Sequence, residues 1–286
     1  MNTNRRRSEL ANGRHVRAHA VHARAVHAHG DTTKRRAQSP PRRRGKWHDL
    51  RMDATADDAT ADDATAETVA PASRVDPDAR RAHALVVGVG ATVLFVTLRL
   101  VVALSNSAPL PIDAAWDGTM SSLASPVGVI IAWVPAIVGG TIGMILIGVA
   151  TTIVFLVRRR PWDALNVAAS IALVVAIGAP MAAVIARSRP THSLAETVAT
   201  SFPSGHTAVA TTIVVTLGLI LRRRWVWVGG ALWVVLMMWS RTYLHAHWLT
   251  DVTAGMLEGV AVATLVWAAV EVARERRAQR AAAATV

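Results

Sequence analysis

The 286-residue chain contains no cysteine, a single tyrosine, three phenylalanines and only 17% charged residues. Without thiols there is no disulfide framework, no thiolate nucleophile and no cysteine-bound zinc or iron–sulfur centre, so any nucleophile must be another residue type. The scarcity of charge, set beside 52% hydrophobic residues, exceeds what one soluble core needs and points to a membrane protein. The charge that exists is unevenly placed. Residues 1–83 hold 17 Lys and Arg against 11 Asp and Glu, a net of +6, while nearly every long apolar run lies after residue 83.

The first part reads as a polar arm. Residues 1–51 are rich in Arg and His, among them Arg5, Arg6, Arg7, His15, His19, His22, His27 and His29, and residues 53–67 read DATADDATADDATAE. Neither stretch can bury enough apolar surface to offset its ordering entropy, which predicts a disordered arm over 1–83. A solvated tail is preferred to a metal-binding or nucleic-acid-binding one. Neither a fixed ligand spacing nor interleaved aromatic residues accompany the charges, and no nucleic-acid partner is expected. No apolar h-region follows the early arginines, so no secretory signal is expected.

The second part reads as a membrane body. A bilayer core about 30 Å thick takes about 20 apolar residues per helix. Six segments meet or approach that length: 84–104, 127–157, 164–185, 207–221, 225–240 and 252–272. Backbone polar groups in lipid must be satisfied within the segment, and barrel-like alternation is absent. The expectation is an all-α, polytopic bundle of six transmembrane helices over 84–272, with a basic tail over 273–286. Within 127–157, Pro135 is expected to separate a short interfacial piece from a helix ending at Arg158. Basic residues collect on the cytoplasmic side. If all six segments span, the arm, Arg158 to Arg160, Arg222 to Arg224 and the tail arginines share that side. Both termini are then cytoplasmic, and connections 105–126, 187–206 and 241–251 face outward across the cytoplasmic membrane.

Those outward connections break the charge rule by carrying Arg187, Arg189 and Arg241, which implies a local anionic partner. They read Arg187-Ser188-Arg189-Pro190, then Ser201-Phe202-Pro203-Ser204-Gly205-His206, then Ser240-Arg241 followed by His247 and Asp251. This pattern resembles the type 2 phosphatidic acid phosphatase superfamily, whose membrane members share a helical site with soluble vanadium haloperoxidases and bacterial acid phosphatases. The second and third motifs match at each defining position. The first departs, because Ala182 stands where the family usually has a lysine ahead of Arg-Pro.

The resemblance implies an integral membrane phosphatase acting on a lipid phosphate or diphosphate, with no metal and no other cofactor. Phosphatidic acid, phosphatidylglycerophosphate and polyprenyl diphosphate are all within its range. The residues suit such chemistry in their own right. Arg189 and Arg241, with Arg187 as a further cation, supply planar donors for the phosphoryl oxygens. Ser204 and Gly205 precede an apolar helix and can cradle an anion at its N-terminus. His247 and Asp251 are four apart and share a face if helical, so the carboxylate can orient the ring and leave its other nitrogen to attack phosphorus. His206 is then acid for the leaving oxygen and base for the water that hydrolyses a phosphohistidine. His245, two residues from His247, is expected to be structural or interfacial, and Glu258 to pair with another helix. The rival readings are a phosphotransferase on the same site, a non-catalytic lipid-phosphate binder and, more remotely, a vanadate-dependent peroxidase.

Overall fold

A computed structural model describes residues 76–195 and 199–285. Expectations for residues 1–75 lie outside the described residues. The chain divides into two units, 1–67 and 68–286, and every described residue belongs to the second. Among the described residues the fold is eight helices: α1 Pro77–Leu104, α2 Pro111–Ser122, α3 Pro126–Val138, α4 Thr141–Val157, α5 Pro161–Ile185, α6 Gly205–Leu221, α7 Arg224–Tyr243 and α8 Leu249–Ala283. No strand forms among them beyond an isolated antiparallel bridge between Ser188 and Thr200.

The apolar runs became helices for the reason anticipated, but their ends moved. Residues 77–83, expected in the disordered arm, form the first turns of α1. The Asp76 side chain accepts the Asp78 amide at 3.0 Å, Pro77 occupies the first turn, and Arg81 pairs with Asp78 and with Glu275 of α8, each at 2.5 Å. Most of the basic tail is likewise helical, because α8 runs unbroken to Ala283. The break in 127–157 falls at Gly139 and Gly140 rather than Pro135, which sits inside α3. There α3 and α4 bend by 42°.

Large apolar side chains remain exposed along the outer helix faces, including Val86 at 71%, Ile130 at 68% and Ile142 at 76%, a surface suited to lipid rather than water. Three helices, α1, α5 and α8, are long and apolar enough to cross a membrane, and the bent pair α3 and α4 makes a fourth if it counts as one span. The chain is thus a multi-pass membrane protein. The expected count of six also needs α6 and α7. The first is short, and the second is diluted by four tryptophans and by Arg224 and Arg241.

The core lies between α4, α5, α6, α7 and α8, where Met144, Val167, Val174, Ile213, Met237 and Val262 pack together. Glycine sets the closest approach. A Cβ at Gly255 of α8 would lie 2.5 Å from the Ser204 carbonyl oxygen, and one at Gly259 would lie 2.7 Å from that of Ala208. Such small residues four apart let two helix backbones touch. This contact holds the loop before α6 against the first turns of α8, where the Ser204 amide donates to the Asp251 carbonyl at 3.0 Å. Gly255→Ala should therefore cost about 1–3 kcal/mol by overpacking against immobile backbone. Thermal unfolding in detergent checks this, and an unchanged midpoint would show that α6 and α8 can separate freely.

Candidate active site

Four pieces of chain meet at one end of the bundle: the loop leaving α5, the start of α6, the turn joining α7 to α8, and α2. Their common fastening is Arg187, fully buried with Asp113 and Asp251. Its Nη1 donates to Asp251 Oδ1 at 2.6 Å and to Thr250 Oγ1 at 2.7 Å. Its Nη2 donates to Asp113 Oδ2 at 2.6 Å and to the Ala108 carbonyl at 3.2 Å, and Nε reaches the Ser107 carbonyl at 3.4 Å. The phosphate contact expected of Arg187 is thereby ruled out, since its donors are spent inside the protein. The arginine that breaks the charge rule does have its anionic partners, and they are side chains of this chain.

Arg189, two residues on, is only half-buried. Ser188 and Thr200 bridge the loop, the Ser201 amide donates to the Arg187 carbonyl at 2.8 Å, and Trp248 Nε1 donates to the Ser188 carbonyl at 2.8 Å. Arg187 turns into the protein toward Asp113 and Asp251, while Arg189 reaches His247. Arg189 Nη1 donates to the Ala246 carbonyl and lies 3.2 Å from His247 Nε2.

His247 is not on the same helix turn as Asp251. It lies in the turn before α8, whose first-turn residue Asp251 accepts the Trp248 amide at 2.9 Å. The ring's Nδ1 is 2.7 Å from the Ser201 carbonyl oxygen and 3.8 Å from Asp251 Oδ2. A carbonyl can only accept, so Nδ1 carries the proton and Nε2 keeps its lone pair toward Arg189. The ring is therefore oriented mainly by a backbone carbonyl, with Asp251 behind it. Burial holds the His247 pKa below its ordinary value, and Arg189 and Arg241 push the same way against the opposing pull of Asp251. The neutral, nucleophilic ring is the favoured form.

Arg189, His206 and His247 line a cavity of about 260 Å³ with Thr141, Ala182 and Gly205. His206 opens α6, and its Nδ1 is 3.5 Å from Thr141 Oγ1 at the start of α4. Ser204 is set behind this wall: it is fully buried, and its hydroxyl accepts from Thr207 Oγ1 at 3.2 Å. The anion cradle expected of Ser204 and Gly205 is left to Gly205 and the first-turn amides of α6, which have no acceptor within the helix. Arg241 is buried in the last turn of α7. Ala182 lines the cavity, so the absent lysine is absent from the site itself.

Three participants were missed by sequence reasoning: Asp113, Thr141 and the Ser201 carbonyl. Asp113 follows Pro111 by two positions, a helix-start signal, and it accepts the Leu110 amide at 3.0 Å. Its partnership with Arg187 carries no local signal. Among the described residues Glu258 forms no ion pair; it is buried against Gly178 of α5.

A bundle of membrane helices that brings His206, His247 and Arg189 around a small pocket at one end defines a polytopic membrane protein with a basic, histidine-bearing site. Comparison with known proteins agrees. Residues 163–275 match the family model of the PAP2 superfamily. The chain is 44% identical over 59 residues to an undecaprenyl-diphosphatase of Sulfolobus acidocaldarius, a stretch covering 21% of this chain and 28% of that relative. Its fold matches the crystal structure of the PAP2-type phosphatidylglycerolphosphate phosphatase from Bacillus subtilis with a TM-score of 0.54 at 22% identity, over 63% of this chain and 93% of that one.

Removing one partner of a buried ion network leaves an uncompensated charge, typically costing about 3–5 kcal/mol. Arg187→Met, which strands Asp113 and Asp251, should lower stability on that scale. Adding Asp113→Asn to it should restore part of the loss. Paired unfolding measurements check this, and fully additive losses would show that the two side chains do not interact.

Proposed function

We propose that this protein is an integral membrane phosphatase that hydrolyses a lipid phosphate or diphosphate through a phosphohistidine intermediate. The observation that carries the reading is the alignment of His247 Nε2 with Arg189 beside a pocket also lined by His206. The names of the two similar proteins, a diphosphatase and a phosphatidylglycerolphosphate phosphatase, support a lipid-borne phosphate as substrate.

In this scheme the phosphoryl oxygens lie against Arg189, Arg241 and the first-turn amides of α6. His247 Nε2 attacks phosphorus in line with the leaving oxygen. The N–P bond forms as the P–O bond breaks, and the electron pair departs on that oxygen, which takes a proton from His206. Water then attacks the phosphohistidine, gives its proton to His206 and releases phosphate. A phosphate dianion beside the His206 ring favours its protonated form, the form in which it acts as acid. The Ser201 carbonyl and Asp251 steady the imidazolium-like ring of the intermediate. No step draws on a metal ion.

Six spans are the topology that suits this reading, with α6 and α7 crossing as shorter, tilted or protein-enclosed helices. Arg158, Arg159, Arg160, Arg222, Arg223 and Arg224 flank the helix ends remote from the pocket. By the positive-inside rule those ends and both termini are cytoplasmic, and the pocket faces outward across the plasma membrane.

The reading is tested by phosphate release from the purified protein in mixed micelles with chelator present, across lipid monophosphates and diphosphates. Release is expected from at least one of them, and His247→Ala should abolish it while the protein stays folded. Undiminished release by His247→Ala would overturn the nucleophile assignment. The pH profile is a separate check. A lowered His247 pKa keeps the ring neutral below its usual pKa of about 6.5, so the acid limb of kcat/KM belongs below that value. A limb at or above pH 6.5 would contradict the neutral buried nucleophile.

A further inference from the structure

A second constellation stands beside the pocket and has no part in the chemistry above. Asp117 of α2, His192 of the loop after α5 and His245 of the turn before α8 place one ligating atom each within 4.8 Å of one another. His245 Nδ1 is 2.7 Å from Asp117 Oδ1, and His192 Nε2 is 3.3 Å from Asp117 Oδ2. The two imidazole rings face each other with centroids 4.1 Å apart and planes tilted by 56°. Two nitrogen donors and a carboxylate thus converge from three separate elements.

We propose that Asp117, His192 and His245 bind a zinc-class divalent cation at the outer rim of the pocket. Zinc takes imidazole nitrogen and carboxylate oxygen at about 2.0–2.2 Å in a tetrahedron, which sets its donors about 3.4 Å apart. The spacing here needs only small side-chain adjustments to reach that geometry. Two imidazoles with one carboxylate favour zinc over magnesium or calcium, which prefer oxygen-rich shells. The donors differ in burial as an accessible site requires. The His245 and Asp117 side chains are 6% and 19% exposed and His192 is 49% exposed, so the ion can enter past His192 and keep a water as fourth ligand.

The backbone prepares this arrangement. His245 adopts a left-handed conformation with φ of 52°, uncommon for a residue with a Cβ. This sends its ring to Asp117, while His247 two residues later faces Ser201 and Arg189. The cation therefore clasps α2, the loop carrying Arg189 and the turn carrying His247 without entering the pocket. Its role is to brace the guanidinium and the imidazole, which are 3.2 Å apart. The inference rests on this geometry alone and stands whether or not the protein is a phosphatase.

The test is zinc stoichiometry by equilibrium dialysis of the full chain against zinc chloride, with thermal unfolding measured alongside. His15, His19, His22, His27, His29 and the other arm histidines can also take up zinc, so the readout is a difference between proteins sharing the same arm. His192→Ala, a surface change, and Asp117→Asn, a near-isosteric one, should each lose one zinc per chain and the zinc-dependent rise in unfolding temperature. His247→Ala should keep both, which separates the rim from the pocket. Wild-type stoichiometry and stabilisation in His192→Ala would overturn the proposal, as would loss of the same equivalent in His247→Ala.

Discussion

A single buried guanidinium holds the working end of this protein together. Arg187 is sealed from solvent between two carboxylates that are equally buried. Such a group is tolerable in a low-dielectric interior only when every donor is met and its charge is answered. Both conditions hold because Asp113 also accepts the Thr250 amide at 2.8 Å and its hydroxyl at 2.9 Å, while Asp251 accepts the Trp248 amide. The surplus negative charge is thus spread over backbone amides at the N-termini of α2 and α8, where helix dipoles favour it. Through Asp251 the network reaches Ser204 and the start of α6, and through the residue after next it sets Arg189. The pocket is the space left once these constraints are satisfied.

The same network explains how much of the site could be read in the sequence. Arg189, His206 and His247 were legible because short-range signals mark them: a Pro after Arg189, a small-residue stretch before an apolar helix, and a histidine close to a helix start. Helices were legible wherever apolar residues ran long enough to need internal hydrogen bonding. Arg187 was misjudged because an arginine beside another arginine in a loop looks like a second phosphate ligand. Only its distant partners, Asp113 and Asp251, draw it inward. Asp113 sits in a connection with no apolar periodicity of membrane length, so the amphipathic α2 was hidden. The His247 and Asp251 pair was expected on one helix face, yet the helix begins between them, and the acceptor closest to the ring is a carbonyl that no residue code reveals.

Small residues supply the other half of the design. Gly255 and Gly259 bring α8 onto α6, and Gly88 of α1 packs where a Cβ would meet Thr264 at 2.5 Å. In lipid there is little hydrophobic drive between helices, so intimate van der Waals contact must do the work. α8 is the common partner in both packings. It carries Asp251 at one end and Arg274, Arg276, Arg277 and Arg280 toward the other, so the element that frames the pocket also carries the basic tail.

The cavity's size governs how a ligand can meet it. A space of about 260 Å³ suits a phosphate or a diphosphate better than the whole of a lipid that bears it. A lipid would therefore keep its tail among neighbouring lipids and present only its headgroup, drifting in two dimensions until it reaches the rim. Encounter would then follow the lipid's mole fraction in the leaflet rather than its bulk concentration. Dilution with inert amphiphile would slow turnover even when the total amount of ligand is unchanged.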